Sequence, residues 1–204
     1  MKSIKYLAMF LLAGMLPFTL TSCLGSDDDN PIKKIDRAYY RQMSGNYTGT
    51  LQYILKKDGQ SEVQKVENIS MTITADSVLK VLGIPASAFV KDIKNEDIKN
   101  AIAAQPSPVV TAGYLIYTAS SEGIGYFVDP KVIEFKNVTV GETTHNYKIN
   151  FYIPSDGRVS GDGTLTAINI YPATLLEDDV VKEQMIVTNI DITDNTTLYI
   201  ECKK

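Results

Sequence analysis

Side chains able to carry chemistry are few in this chain. One histidine, His145, and two cysteines, Cys23 and Cys202, stand in 204 residues that hold no tryptophan. His145 lies in Gly141-Glu142-Thr143-Thr144-His145-Asn146, which reads as the turn of a hairpin. With no second histidine and no thiolate close in sequence, it lacks the closed ligand set that zinc needs. No Gly-x-Ser-x-Gly elbow marks a nucleophilic serine. Carboxylates are plentiful, and two of them flanking a glycosidic bond could cleave it. Glu122, Asp129, Glu134, Asp156, Asp162 and the run Glu177-Asp178-Asp179 are the candidates, but no spacing selects a pair, and the run reads most simply as a solvated face. Asp156-Gly157-Arg158-Val159-Ser160-Gly161-Asp162-Gly163 is oxygen-rich in the way calcium favours, yet it departs from the alternating ligands of an EF-hand, and two consecutive turns account for it. Ser121-Glu122-Gly123-Ile124-Gly125 has Gly-x-Gly without the third glycine or the following helix of a dinucleotide loop, so it reads as a turn. The expectation is a protein that is not an enzyme and uses neither metal nor cofactor.

Periodicity shows what would position these groups. Asn30 and Pro31 set a helix start, and Ile32, Ile35, Tyr39 and Met43 recur at helical spacing until Gly45. Adjacent helix positions cannot both face one core, so Tyr39 and Tyr40 are candidate ligand contacts. From Tyr47 the period becomes two: Tyr47, Gly49, Leu51, Tyr53 and Leu55 share a face, Asp58-Gly59 turns the chain, and a second strand runs through Val63 toward Ile73. Residues 76–105 read as a helical excursion. In it Asp76 caps Val78-Leu79-Val81-Leu82, a second helix surrounds Phe89 and Ile93, and a third carries Ile98, Ala101 and Ile102. Strands follow at 109–118, 125–128, 132–140, 147–153, 164–171, 186–192 and 197–202. Cys202 alternates with Leu198 and Ile200, which makes it a buried small hydrophobe. The expected fold is mainly β, an antiparallel barrel or sandwich of about nine strands with an N-terminal helix and a short helical insertion. In such a closed sheet the helix from Ile32 to Met43 seals one end and a ligand enters at the other. The excursion is then a lid or a permanently packed layer.

The first thirty residues carry an address. Lys2 and Lys5 precede an apolar run from Tyr6 to Leu20 that spans only about 22 Å as a helix, short of the roughly 30 Å hydrocarbon core, so it reads as a secretory signal and not an anchor. It ends Leu20-Thr21-Ser22-Cys23, which resembles the lipobox of bacterial lipoproteins. That resemblance implies that residues 1–22 are removed and that Cys23 carries diacylglycerol and a further acyl chain such as palmitate. Residues 23–30 then form a spacer, and its Ser26-Asp27-Asp28-Asp29 looks like the surface-export signal of Bacteroidetes lipoproteins, or is a plain solvated tether. Residues 31–204 form one domain. Loss of a 22-residue signal from 204 leaves 182 residues, enough to bury a core without disulfides or metal. The net charge of −4 becomes −6 when Lys2 and Lys5 go, which argues against a nucleic-acid partner. With Cys23 lipidated, Cys202 has no disulfide partner.

At Ser44-Gly45-Asn46-Tyr47-Thr48-Gly49-Thr50-Leu51 the chain resembles the opening of lipocalin-type barrels, with Tyr47 where those proteins usually have tryptophan. The layout of lipobox, acidic spacer, helix, glycine-rich first strand and helical excursion is similar to a family of Bacteroidetes lipoproteins whose domain has no assigned function. The resemblance implies an outer-membrane, cell-surface address and an antiparallel β fold. Asp76-Ser77-Val78 resembles the short acceptor pattern for O-glycosylation of Bacteroides-type secreted proteins, which would place the sugar on Ser77, although the same residues also serve as a helix start. Tyrosine is abundant, at 12 residues, and can stack on sugar rings while donating hydrogen bonds. Three functions follow: a surface-tethered binding module for a glycan, a lipophilic molecule or another envelope protein; a structural or assembly lipoprotein; and a glycan hydrolase using paired carboxylates.

Overall fold

The computed structural model describes residues 35–57, 60–186 and 196–204, and Lys34–Lys204 is one compact unit. Cys23, Ser26, Asp27, Asp28, Asp29, the Asn30-Pro31 helix start and the Asp58-Gly59 turn lie outside the described residues. In chain order the elements are α1 (Arg37–Met43), β1 (Gly45–Lys57), β2 (Gln60–Ile73), β3 (Val78–Leu82), α2 (Ala86–Phe89), α3 (Glu96–Ala103), β4 (Val110–Ser120), β5 (Gly123–Pro130), β6 (Ile133–Val140), β7 (Thr143–Phe151), β8 (Ser155–Ser160), β9 (Leu165–Ile170), β10 (Pro172–Glu177), β11 (Val180–Gln184) and β12 (Leu198–Lys203).

The mainly β expectation holds. β1, β12, β9, β8, β5, β4, β3 and β2 close in that order into an antiparallel barrel, so each barrel strand neighbours the next barrel strand in sequence. Two hairpins, β6–β7 and β10–β11, interrupt this meander and pair with each other as a second sheet in the order β11-β10-β7-β6. This layout was not anticipated. Residues 155–160 are strand β8, paired to β5 and β9, where two consecutive turns were expected; only Gly161-Asp162-Gly163 is a turn. β10 and β11 were not foreseen either, Ile186 lies beyond β11, and the rest of the strand expected at 186–192 falls outside the described residues.

The largest correction is at Val78-Leu79-Lys80-Val81-Leu82, expected as a helix and found as β3. A five-residue apolar run fits either period, and pairing decides between them. β3 lies between β2 and β4, with Leu79 and Val81 fully buried and Lys80 and Leu82 exposed. The turn that admits it places Ser77 at φ 62°. α1 also starts later than its periodicity implied. Ile35 and Asp36 are not helical, and the Asp36 carboxylate accepts the Ala38 N–H at 2.8 Å as the N-cap.

Alternate residues of the barrel strands point inward and fill the interior, as expected of eight strands. Three inward tyrosines satisfy their hydroxyls there. Tyr126 meets the Thr166 hydroxyl at 2.9 Å, Tyr114 donates to the Thr74 carbonyl at 2.7 Å, and Tyr47 donates to the Met43 carbonyl at 2.6 Å. Tyr126 has room because its partner across β8 is Gly157, where a Cβ would sit 2.4 Å from the ring. α1 seals the end at which β1 begins: Met43 is fully buried, and Gln42 donates to the Gly161 carbonyl at 2.6 Å.

The opposite end, expected to be open, is covered by the helical excursion and the small sheet, whose side chains belong to the same core. Phe89 of α2 meets Phe151 of β7 edge to face with centroids 6.1 Å apart, and Ile93, Ile98 and Ile102 are buried. The Lys94 N–H is held by the Glu183 carboxylate of β11 at 3.1 Å. Lys91, whose charge would suit a solvated lid, is buried, with its ammonium 2.6 Å from the Asp92 carboxylate. The excursion is therefore a packed layer. Among the described residues no helix is long and apolar enough to cross a membrane.

Candidate functional site

The expected site residues gather at separate places. Tyr39 and Tyr40 are both half-buried against the core, and the Tyr40 ring stacks on Tyr114 at 5.8 Å between centroids. Tyr40 and Ser77 line one hollow of about 550 Å³ beside α1, with Ile35, Arg37, Arg41 and Asp76; Tyr39 does not border it. Cys202 is buried beside Leu198 and Ile200 as expected, and burial pushes its thiol up to about 11.

His145 lies near the start of β7, just past the Gly141-Glu142 turn, and the fold brings it to the acidic run that sequence left apart. Its Nδ1 is 2.7 Å from the Asp178 carboxylate, whose other oxygen accepts the Asn146 N–H at 3.0 Å. Glu177, read as part of a solvated face, is instead half-buried between the Tyr147 hydroxyl and the Lys182 ammonium, both at 2.8 Å. The lysine and the phenol hold its carboxyl below the usual range. Asp178 and Asp179 adopt φ of 48° and 68° in the tight turn between β10 and β11, and Lys148 pairs with Asp179. These bonds tie the turn to β7.

The remaining carboxylates are dispersed. Asp156, on the outer face of β8, accepts from Tyr171 at 3.1 Å and from Asn169. Asp162 closes the turn between β8 and β9 by accepting from Ser160 and Thr164, bonds that lower its carboxyl to about 2. Glu134 pairs with lysines on the small sheet. Among the described residues no group of three or more histidines, cysteines and carboxylates could hold a metal ion.

A different site stands on the outer face of β4, β5 and β8. Tyr117 and Phe127, exposed by 46% and 41%, meet with centroids 4.5 Å apart and planes tilted by 34°. The Tyr117 ring lies over Gly125, where a Cβ would come within 2.8 Å of it, so the glycine lets the ring pack down on the strand. Arg158 is the cross-strand partner of Gly125. Tyr117, Glu122, Gly123, Gly125, Arg158 and Leu165 line a groove of about 520 Å³. A second hollow of about 270 Å³, lined by Leu115, Asp129, Ile153 and Pro154, also touches Phe127. Among the described residues neither the Arg158 guanidinium nor the Glu122 carboxylate has a side-chain hydrogen bond or ion pair. The groove thus offers apolar ring faces beside one free donor and one free acceptor.

Sequence reasoning missed this face, though a signal was present. Tyr114-Leu115-Ile116-Tyr117 and Tyr126-Phe127-Val128 are apolar at every position, whereas most strands of this chain alternate. A strand apolar on both faces in a closed barrel has one face left over for another surface or a ligand.

Against known proteins, residues 42–176, from the end of α1 into β10, match a family described as Domain of unknown function (DUF4840). No curated protein and no solved structure matches the chain.

Proposed function

The chain belongs to the DUF4840 family, and from that premise we propose that it is a non-catalytic binding module, tethered at the outer membrane through lipid on Cys23, that takes its ligand on the outer face of its barrel. The observation that carries this reading is the exposed Tyr117–Phe127 pair, with Tyr117 packed over Gly125, beside unpaired Arg158. Exposed aromatic rings next to unsatisfied polar groups are the features that give a surface binding energy and specificity. Side chains fill the barrel interior that a lipocalin-type protein would use for a lipophilic ligand, which supports a ligand site on the outer face instead. The chain's carboxylates mostly serve turns and strand contacts, which favours binding over hydrolysis.

Hydroxyl-radical footprinting of the full chain, with and without an extract of the cell envelope, tests the binding reading. Tyr117 and Phe127 become protected by the extract while buried Tyr126 and Tyr147 do not change. Equal reactivity at 117 and 127 in both samples sinks it. The tether is tested separately by intact mass and membrane fractionation. Acyl chains at about 0.8 kcal/mol per buried methylene keep the protein with membranes, and Cys23→Ser releases it. If Asp27, Asp28 and Asp29 direct export, replacing all three by Ala protects the protein from external protease on intact cells without changing its acylation.

Exposed Leu115 and Ile153 beside the groove favour a second reading, an assembly lipoprotein docked to another envelope protein. Footprint protection by purified envelope protein alone would select it.

A further inference from the structure

Taking the outer-face groove as a binding site, we infer that its ligand is a neutral glycan chain of pyranose rings laid across Tyr117 and Phe127, with its hydroxyls read by Arg158 and Glu122. Four observations converge on this class. Tyr117 is fixed on Gly125 and packed on Phe127, so the platform is already ordered, and stacking a sugar ring on it costs little side-chain entropy. Hollows of about 520 and 270 Å³ lie along the same aromatic pair, one bordered by Tyr117 and the other by Phe127, which gives room for more than one ring in line.

The groove carries polar groups of both signs, Arg158 from β8 and Glu122 from the β4–β5 turn. Arg158 supplies only donors and Glu122 only acceptors, and both lack protein partners among the described residues. Vicinal hydroxyls can serve both at once. An apolar ligand would leave the two charges desolvated without hydrogen bonds, at a cost in free energy. An anionic ligand would meet Glu122, and it would also face Asp129 and the Asp156 carboxylate across from Phe127 on a chain of net charge −4.

Sheet closure argues against the other common polymer. An extended peptide binds a sheet by pairing with a free edge, and a closed barrel has none beside this groove.

Affinity electrophoresis of the full chain in detergent tests the assignment, through gels cast with xylan, mannan, mixed-linkage β-glucan or starch, and with polygalacturonate as the acidic comparison. The chain is retarded by at least one neutral polysaccharide and not by polygalacturonate alone. Tyr117→Ala and Phe127→Ala each weaken retardation at least tenfold, Arg158→Gln weakens it severalfold, and Val63→Ala, on exposed β2, leaves it unchanged. Gly125→Ala provides a second route to the same loss, by displacing the ring without removing it. Thermal midpoints within a few degrees of the parent show that the variants are folded.

Retardation by none of the neutral polysaccharides, retardation by polygalacturonate only, or binding that survives both aromatic substitutions overturns the proposal. If the envelope extract still protects Tyr117 in that case, the glycan assignment alone has failed and the binding face stands. If the footprint is also flat, both fail.

Discussion

Tyr126 lies over Gly157 inside the barrel and Tyr117 lies over Gly125 outside it. The two pairs share β5, where Gly125 and Tyr126 are consecutive: Tyr126 faces Gly157 across β8, while Gly125 receives the ring of Tyr117 from β4 on the other side. The local device is the same, a glycine whose missing side chain lets an aromatic ring pack on the backbone. Inside, the ring is fully buried and its hydroxyl is satisfied by Thr166, so the pair contributes to stability. Outside, one face of the ring stays in water beside unpaired charges, so what the pair holds ready is a contact surface. Position relative to the closed sheet decides which use the device serves.

The comparison breaks most visibly in alkali. Burial raises the phenols of Tyr114, Tyr126, Tyr147 and Tyr171 and pushes Tyr47 up to about 12. Unfolded tyrosines ionise near pH 10, so above that pH the folded state holds more protons than the unfolded one. Stability is complete below about pH 10 and falls as pH rises toward about 12. Denaturant melts across that range should collapse together with a cooperative step of phenolate absorbance. A gradual phenolate titration with an unchanged melt would mean that the interior is not sealed.

Tyr126→Ala is the next largest effect. It empties a core site and removes the partner of the Thr166 hydroxyl, so a loss of about 3–5 kcal/mol and a thermal midpoint lower by roughly ten degrees are expected. Gly157→Ala forces a methyl into the Tyr126 ring in a place with no room to yield and should cost about 1–3 kcal/mol. Gly125→Ala meets the Thr118 methyl at 2.7 Å and the Tyr117 ring at 2.8 Å; the exposed ring can swing into solvent but Thr118 on the paired strand must shift, so about 1 kcal/mol of stability is lost, less than at Gly157, while the groove is spoiled. Equal costs at the two glycines, measured by urea denaturation, would erase the distinction between the faces.

Tyr117→Ala and Phe127→Ala remove exposed rings and should each change stability by under about 1 kcal/mol, so any large loss of binding belongs to the surface and not to the fold. The smallest effect is at Asp162. Its carboxyl, lowered to about 2 by Ser160 and Thr164, adds stability above its unfolded value of 3.8 that is lost as pH falls through about 2. Asp162→Asn should flatten that acid limb and leave the neutral-pH melt nearly unchanged.

How much of this was legible in the sequence depended on whether the information was local. Alternation in Tyr147-Lys148-Ile149-Asn150-Phe151 marked β7, and the buried place of Cys202 followed from its phase with Leu198 and Ile200. β8 is Ser-Asp-Gly-Arg-Val-Ser, with Val159 its one large apolar side chain and turn-forming residues around it, so its period did not show, and only pairing with β5 and β9 makes it a strand. The groove was illegible for a similar reason: Tyr117, Gly125 and Arg158 belong to three strands, and nothing in their spacing predicts that they meet.

The sequence by itself determined the mainly β class, the burial of alternate residues and the scarcity of catalytic side chains, because composition and period-two patterning act over a few residues and need no partner. Tertiary structure decided that 78–82 is a strand, that the helical excursion is a packed layer, that His145 meets Asp178, and that the aromatic face looks outward. Each of these rests on hydrogen bonds and contacts between residues distant in the chain. Such contacts form only when the barrel closes, and closure also assigns every side chain to an inner or an outer face.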